Sequence, residues 1–214
     1  MSSSQARRGQ LFVVSAPSGT GKTTVVETLV ASTPHLRESC SYTSRKERVG
    51  ETDGVDYNFV SRERFEAMIA GDQFLEWAEI YGDLYGTSQV DTERIQSAGD
   101  DLVLVIDVQG ARKIRRRGVP VVSVFVMPPS LGVLESRLRG RCTDSEAQIQ
   151  RRLAVAREEV KAFREYDFVV VNDDVGACVQ QLRAILTASG LTLAAVTPEA
   201  ERIAATFGSS GHQD

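Results

Sequence analysis

Histidine and cysteine are scarce in this chain: His35 and His212 are its two histidines, and Cys40, Cys142 and Cys178 its three cysteines. They form no C-x-x-C pair and no histidine cluster, which excludes a disulfide framework and a zinc centre of ordinary spacing. The cysteines read as structural. No run of about 18 apolar residues occurs, so no membrane-spanning helix and no membrane partner are expected. Met1-Ser2-Ser3-Ser4-Gln5 lacks the apolar core of a signal peptide, and the expected location is the cytoplasm. Positive charge is not in excess either. With 29 acidic against 25 basic residues the net charge is −4, so nucleic acid is not expected as the main partner. Internal repeats and low-complexity tracts are also missing. What remains is an ordinary chain of 214 residues, 42% hydrophobic, enough to bury the core of one globular domain.

Against that background one stretch stands out. Leu11-Phe12-Val13-Val14, an apolar run, leads directly into Ser15-Ala16-Pro17-Ser18-Gly19-Thr20-Gly21-Lys22-Thr23-Thr24. A buried strand that feeds a glycine-rich turn opening a helix leaves backbone N–H groups without internal partners, and such a nest binds anions. Gly19 and Gly21 permit close backbone approach, Lys22 supplies a charge for β- and γ-phosphates, and the Thr23 hydroxyl can ligate Mg²⁺. The motif departs from G-x-x-x-x-G-K-[ST] at its first position, where Ala16 must keep an ordinary backbone conformation.

Further along, helical spacing predicts a helix from Lys22 to about Ser32, closed by Pro34. Residues 35–60 are polar and rich in turn formers. Ser61 caps a helix with Phe65, Met68 and Ile69 on one face, Phe74–Ile80 reads as a strand, and Tyr81–Thr87 as a turn. A polar helix over Ser88–Gly99 leads into the strand Leu102–Asp107, followed by a helix over Gln109–Arg117 and a strand over Val119–Met127. Ser130 caps the next helix, Thr143-Asp144-Ser145-Glu146 opens another that runs to about Arg164, and Phe168–Val171 and Val175–Ala188 complete the core. Thr192–Ala195 suggests an edge strand, residues after Pro198 a short helix, and the last six residues a disordered end. Strand–helix alternation implies an α/β fold with a parallel sheet and ligands at the strand carboxyl ends. The glycine-rich turn and Asp107 both fall there.

Charged residues sort by setting. Arg45 and Arg48 sit in a loop with Tyr57 downstream, either a phosphate clamp or a solvated loop. Arg137, Arg141 and Arg152 surround a break between helices, where arginines can close over a transferring phosphoryl group. Arg112, Lys113, Arg115, Arg116 and Arg117 share one short helix without interleaved aromatics and read as surface. Glu76, beside Trp77, and Asp107, at the end of the most apolar strand, separate from the other acids, with Asp107 also placed to cap a helix.

Taken together, these residues resemble the guanylate kinase family over roughly residues 8–190. The resemblance rests on Ser15–Thr23, Thr43-Ser44-Arg45, Gly54-Val55-Asp56-Tyr57-Asn58-Phe59, Phe74-Leu75-Glu76-Trp77, Tyr85-Gly86-Thr87, Ile106-Asp107-Val108-Gln109-Gly110, Pro128-Pro129-Ser130, Arg137-Leu138-Arg139-Gly140-Arg141 and Val171-Asn172-Asp173. It implies a P-loop NTPase-type parallel sheet flanked by helices, with a core (8–37, 97–135 and 157–190), an inserted GMP-binding segment (38–96), a lid (136–156) and a C-terminal tail (191–214). The implied reaction is Mg²⁺-dependent transfer of a phosphoryl group from ATP to GMP. Ala16, Pro17, Ser18, Gly19, Thr20, Gly21, Lys22, Thr23 and Thr24 would bind ATP, with Thr23 on the metal and Asn172 near the adenine. Arg45, Arg48, Tyr57 and Tyr85 would hold the GMP phosphate; Ser41, Glu76, Thr87 and Asp107 would contact guanine; Lys22, Arg137, Arg141 and Arg152 would serve the transferred group. The chain departs from the family pattern at Val105, where an acid is frequent, and at Cys142, where glycine is. Three rivals remain: a protein-binding module of the same fold, a kinase for another nucleotide, and a P-loop hydrolase.

Overall fold

The computed structural model describes residues 7–80, 82–140 and 145–208. Its centre is strand β1 (Leu11–Ser15), buried at every position because helices cover both sides of it. Phe12 and Val14 point toward helices α1 (Lys22–Ala31) and α7 (Val175–Ser189), packing with Val25, Val26, Leu29, Cys178, Val179 and Leu182. Leu11 and Val13 point the other way, onto Ala111 and Ile114 of α4 (Val108–Arg116). The period-2 alternation of a strand thus serves two cores at once.

Around β1 runs a five-stranded sheet in the order β2 (Leu36–Glu38), β7 (Asp101–Val105), β1, β8 (Val122–Met127), β9 (Phe168–Val171). Every pairing in it is parallel. A parallel sheet flanked by helices is the α/β, P-loop NTPase-type architecture expected from the sequence, and it places the turn after β1 and the residues after β7 on the same edge. A second, four-stranded sheet orders β4 (Asn58–Phe59), β3 (Tyr42–Thr43), β6 (Asp83–Ser88) and β5 (Phe74–Ile80). It packs on α2 (Arg62–Ala70) through Phe65, Met68, Phe74 and Leu84. The ring centroids of Phe65 and Phe74 lie 4.5 Å apart, stacked.

Several boundaries differ from the sequence reading. Most of the expected turn at Tyr81–Thr87 is strand β6, paired antiparallel with β5 from Ile80↔Asp83 to Phe74↔Ser88. Only the bend around Gly82, at φ 89°, makes the reversal. The polar stretch 35–60 contributes three short strands whose pairing depends on partners distant in sequence. Ser130 caps α5 (Leu131–Arg139), as expected, and Ser88, read as the first residue of a helix, is the cap of α3 (Gln89–Ser97). The capping box of α6 (Glu146–Glu159), however, is Ser145 with Gln148, two residues later than expected; Thr143 and Asp144 lie outside the described residues. Beyond Glu159 the helix tightens to a 3-10 segment, Val160–Glu165. The tail forms a helix, α8 (Leu193–Gly208), with Pro198 inside it, and not an edge strand. Residues 209–214 lie outside the described residues.

Phe65 is completely buried and joins α2 to the second sheet, so Phe65→Ala is expected to cost about 3–5 kcal/mol of unfolding free energy. Urea denaturation followed by circular dichroism measures this. A loss below about 1 kcal/mol would mean that the cluster does not hold the second sheet together.

Candidate active site

The turn between β1 and α1 is a backbone cradle. Gly21 is the N-cap of α1 at φ 91°, a left-handed conformation, and gives the helix no side-chain cap. The first N–H groups of α1 therefore point outward with the positive end of the helix dipole behind them. Gly19 is also left-handed, at φ 93°, and a methyl group there would lie 2.6 Å from Leu138 Cδ2. Ala16 is not among the residues of positive φ, so the departure at the motif's first position leaves the cradle unaltered.

Lys22 is half-buried rather than exposed. Its ammonium donates to the Ile106 carbonyl at 3.2 Å. Burial pushes its pKa below that of an ordinary lysine, while Asp107, Glu159 and Glu38 oppose the shift. Thr23 and Thr24 are exposed in the first turn of α1. On the outer side of the turn, Asn172, 1% exposed, donates from Nδ2 to the Thr20 carbonyl at 2.7 Å. Arg137 donates to the same carbonyl at 3.0 Å. Its guanidinium thus lies against the loop's backbone in this structure.

A second set of groups lies on the four-stranded sheet. Glu76, 7% exposed, faces Thr87 across the β5–β6 register and accepts its hydroxyl at 2.7 Å. Continuing the β3–β6 register from Tyr42↔Gly86 sets Ser41 opposite Thr87. Desolvation pushes the pKa of Glu76 up and the nearby Asp107 charge adds to the shift; the Thr87 hydrogen bond and Lys113 oppose it. Asp107 caps α4, its Oδ1 accepting the Gly110 N–H at 2.7 Å. Gly110 lets that helix approach closely: a methyl group there would lie 2.9 Å from Glu76 Oε2. Glu76, Thr87 and Asp107 are thereby gathered in one place, two from the small sheet and one from beyond the carboxyl end of β7.

Beside these groups lies an arginine–tyrosine cluster. Arg45, 9% exposed, packs its guanidinium 5.3 Å from the Tyr57 ring centroid, and the rings of Tyr57 and Tyr85 are 5.9 Å apart. Glu51 holds Arg45 in a bidentate pair at 2.8 and 2.9 Å and accepts the Arg48 N–H at 2.8 Å. These contacts hold the Glu51 carboxyl below the usual range. Arg48 itself is exposed. Arg152 lies half-buried on α6, and Arg141 lies outside the described residues.

Sequence reasoning missed Glu51, Glu38 and Glu159. Glu51 offered only its closeness in sequence to Arg45; that Arg45 is buried and needs a counter-charge is visible only in the fold. Glu38 and Glu159 carried none, since only the fold brings them to Lys22.

The guanylate kinase family model matches residues 8–189. A guanylate kinase of Neisseria meningitidis serogroup A is 49% identical over 86% of this chain and 90% of its own length. One from Methylococcus capsulatus is 46% identical over 92% and 97%. Among solved structures, guanylate kinase from Anaplasma phagocytophilum superposes with a TM-score of 0.71 at 34% identity, covering 87% of this chain and 89% of that one.

The raised pKa of Glu76 makes a thermal prediction. A carboxyl whose folded pKa exceeds its unfolded one costs stability as pH climbs from the unfolded value through the folded one, because the folded state then releases its proton against burial. Glu76→Gln does not titrate. Its Tm relative to the parent is therefore expected to rise as pH climbs from the ordinary carboxylate range through the raised folded value of Glu76, and then to level off. A difference independent of pH would show that burial does not disfavour the Glu76 charge.

Proposed function

The chain belongs to the guanylate kinase family, and we propose that its residues divide transfer of a phosphoryl group from ATP to GMP between two anion sites and a base pocket. The observation that carries this reading is the presence of a second phosphate-competent cluster, Arg45 with Tyr57 and Tyr85, on a different sheet from the glycine-rich turn. A hydrolase needs one such site and a phosphotransferase two. A protein-binding module needs neither Lys22 nor an uncapped helix start.

In this reading the N–H groups of Gly19 and of Gly21 to Thr24, with the Lys22 ammonium, hold the ATP phosphates, while the Thr20 N–H is donated to the Pro17 carbonyl at 3.2 Å. The residues fit a hard cation delivered with the nucleotide: the exposed Thr23 hydroxyl sits at the uncapped start of α1, and Mg²⁺ commonly takes one or two protein oxygens with its remaining ligands from phosphate and water. When bound, the ion neutralises charge shared by the β- and γ-phosphates. Arg45, Arg48, Tyr57 and Tyr85 grip the GMP phosphate, which must displace or share the Arg45–Glu51 pair. Ser41, Glu76, Thr87 and Asp107 read the base. Arg152, with Arg141, meets charge that develops on the transferred group. The GMP-binding segment (38–96) and the lid (136–156) close on the core, so that GMP and not water is the acceptor. No side-chain nucleophile is required, and the phosphoryl group passes directly from ATP to the GMP phosphate.

Base choice follows from counting donors. Guanine presents N1–H and a 2-amino group side by side, and an ionised carboxylate accepts both; adenine presents an N1 acceptor against the carboxylate's lone pairs. Sites built on such pairs reject analogues by about 10⁴ to 10⁵. A coupled assay of ADP formation across GMP, dGMP, AMP, CMP and UMP is expected to show GMP strongly preferred. In Glu76→Gln, kcat/KM for GMP should fall sharply and the GMP-to-AMP ratio narrow, with ATP affinity nearly unchanged. An unaltered ratio would move base recognition to Ser41 and Asp107.

Lys22→Ala should keep the parent's circular dichroism and melting transition while losing phosphoryl transfer. Near-parental turnover at saturating ATP and Mg²⁺ would remove the cradle from the mechanism.

A further inference from the structure

The phosphate loop presents its N–H groups to a ligand, so its carbonyl groups must face the protein and find donors there. The Thr20 carbonyl has two. Asn172 Nδ2 reaches it at 2.7 Å from the end of β9, and Arg137 Nη1 at 3.0 Å from α5. Arg137 is itself tied to the far side of this arrangement: Nη1 also meets the Asn172 carbonyl at 3.0 Å, and Nη2 the Asp173 carbonyl at 3.4 Å. The loop backbone, β9 and α5 are thus joined through one guanidinium. The packing agrees, since Gly19 rests directly on Leu134 and Leu138 of the helix that carries Arg137.

The peptide between Thr20 and Gly21 is planar and trans, so its C=O and N–H point in opposite directions. Holding the carbonyl outward aims the Gly21 N–H into the cradle. We propose that Arg137 and Asn172 form a clasp on the Thr20 carbonyl that sets the shape of the phosphate loop, which makes Arg137 a positioning residue and not the group that neutralises the transferring phosphate. The inference rests on the reading of this loop as the ATP site, and it replaces the role that the arginine pattern alone suggests for Arg137.

The test is a double-mutant cycle on ATP affinity, measured by titration calorimetry with GMP affinity and Tm recorded alongside. Arg137→Met and Asn172→Ala each leave one donor on Thr20, and each should weaken ATP binding by about 2- to 10-fold, the range for one net hydrogen bond. GMP affinity should not change. The double variant leaves no donor and should weaken ATP by more than the product of the two single effects. Arg137→Lys keeps the charge but lacks the planar fork whose Nη1 meets the Thr20 and Asn172 carbonyls while Nη2 reaches that of Asp173, and should resemble Arg137→Met. Parental ATP affinity in Arg137→Lys would overturn the clasp, as would effects that simply multiply. So would a loss of about 10³ or more in kcat for Arg137→Met at unchanged ATP affinity, the behaviour of a transition-state arginine. Should Asn172→Ala fail to fold, the Arg137→Lys and Arg137→Met pair decides the matter. Failure of the parent protein to bind ATP would instead remove the functional reading on which the clasp rests.

Discussion

A loop that binds phosphate through its backbone must leave its N–H groups unsatisfied within the protein and still be rigid. The two demands conflict, because internal hydrogen bonds are the usual source of rigidity. Here they are met on opposite sides of the same chain. The inner side is an uncapped helix start reached through two left-handed glycines. The outer side is fixed by donors to the Thr20 carbonyl and by leucines beneath Gly19. Glycine is required on both counts: a side chain at Gly19 would meet Leu138, and one at Gly21 would meet the Asn172 amide, 2.9 Å away.

The second constraint is geometric, since the proposed base site on one sheet has to be registered against the phosphate loop on another. Helix α4 does this. Its N-cap Asp107 follows β7, its Gly110 lies against Glu76, and Lys113 donates to the Trp77 carbonyl while lying 4.7 Å from the Trp77 ring centroid. Arg117 pairs with Asp72, next to β5, and Arg112 and Arg115 pair with Glu165 in the 3-10 segment. Individually such exposed pairs are worth little. Their value is in direction, because pairs on several sides of one short helix fix its rotation and with it the approach of Asp107 to Glu76.

Four strands of the five-stranded sheet and most helices were legible in the sequence because they rest on local signals: apolar runs of strand length, serine and aspartate caps, and a phosphate loop with the required residue types in order; β2, inside the polar stretch 35–60, was not. Strand β6 was not legible as a strand. Asp83-Leu84-Tyr85-Gly86-Thr87 alternates poorly, and its glycine lets Phe74 and Phe65 approach from the neighbouring strand and helix, so its conformation is set by β5 rather than by its own residues. The same holds for β3 and β4, too short to signal alone. In the candidate site the residue types were legible and their partners were not. Arg45 was visible, Glu51 as its counter-charge was not; Arg137 was visible as an arginine near a helix break, its attachment to Thr20 was not, since the two are joined only through tertiary structure. The basic cluster on α4 lies on the surface, as it read, with Arg112, Arg115, Arg116 and Arg117 exposed; that several of its charges bridge elements was not legible.

On the proposed reading two anion sites on two sheets, closed to water, serve a transferase and not a hydrolase, and the fate of the transferred group tests this directly. With γ-³²P-labelled ATP, Mg²⁺ and saturating GMP, label should appear in GDP. Without GMP, release of inorganic phosphate should be slower by several orders of magnitude. Label passing to inorganic phosphate at similar rates with and without GMP would contradict the account.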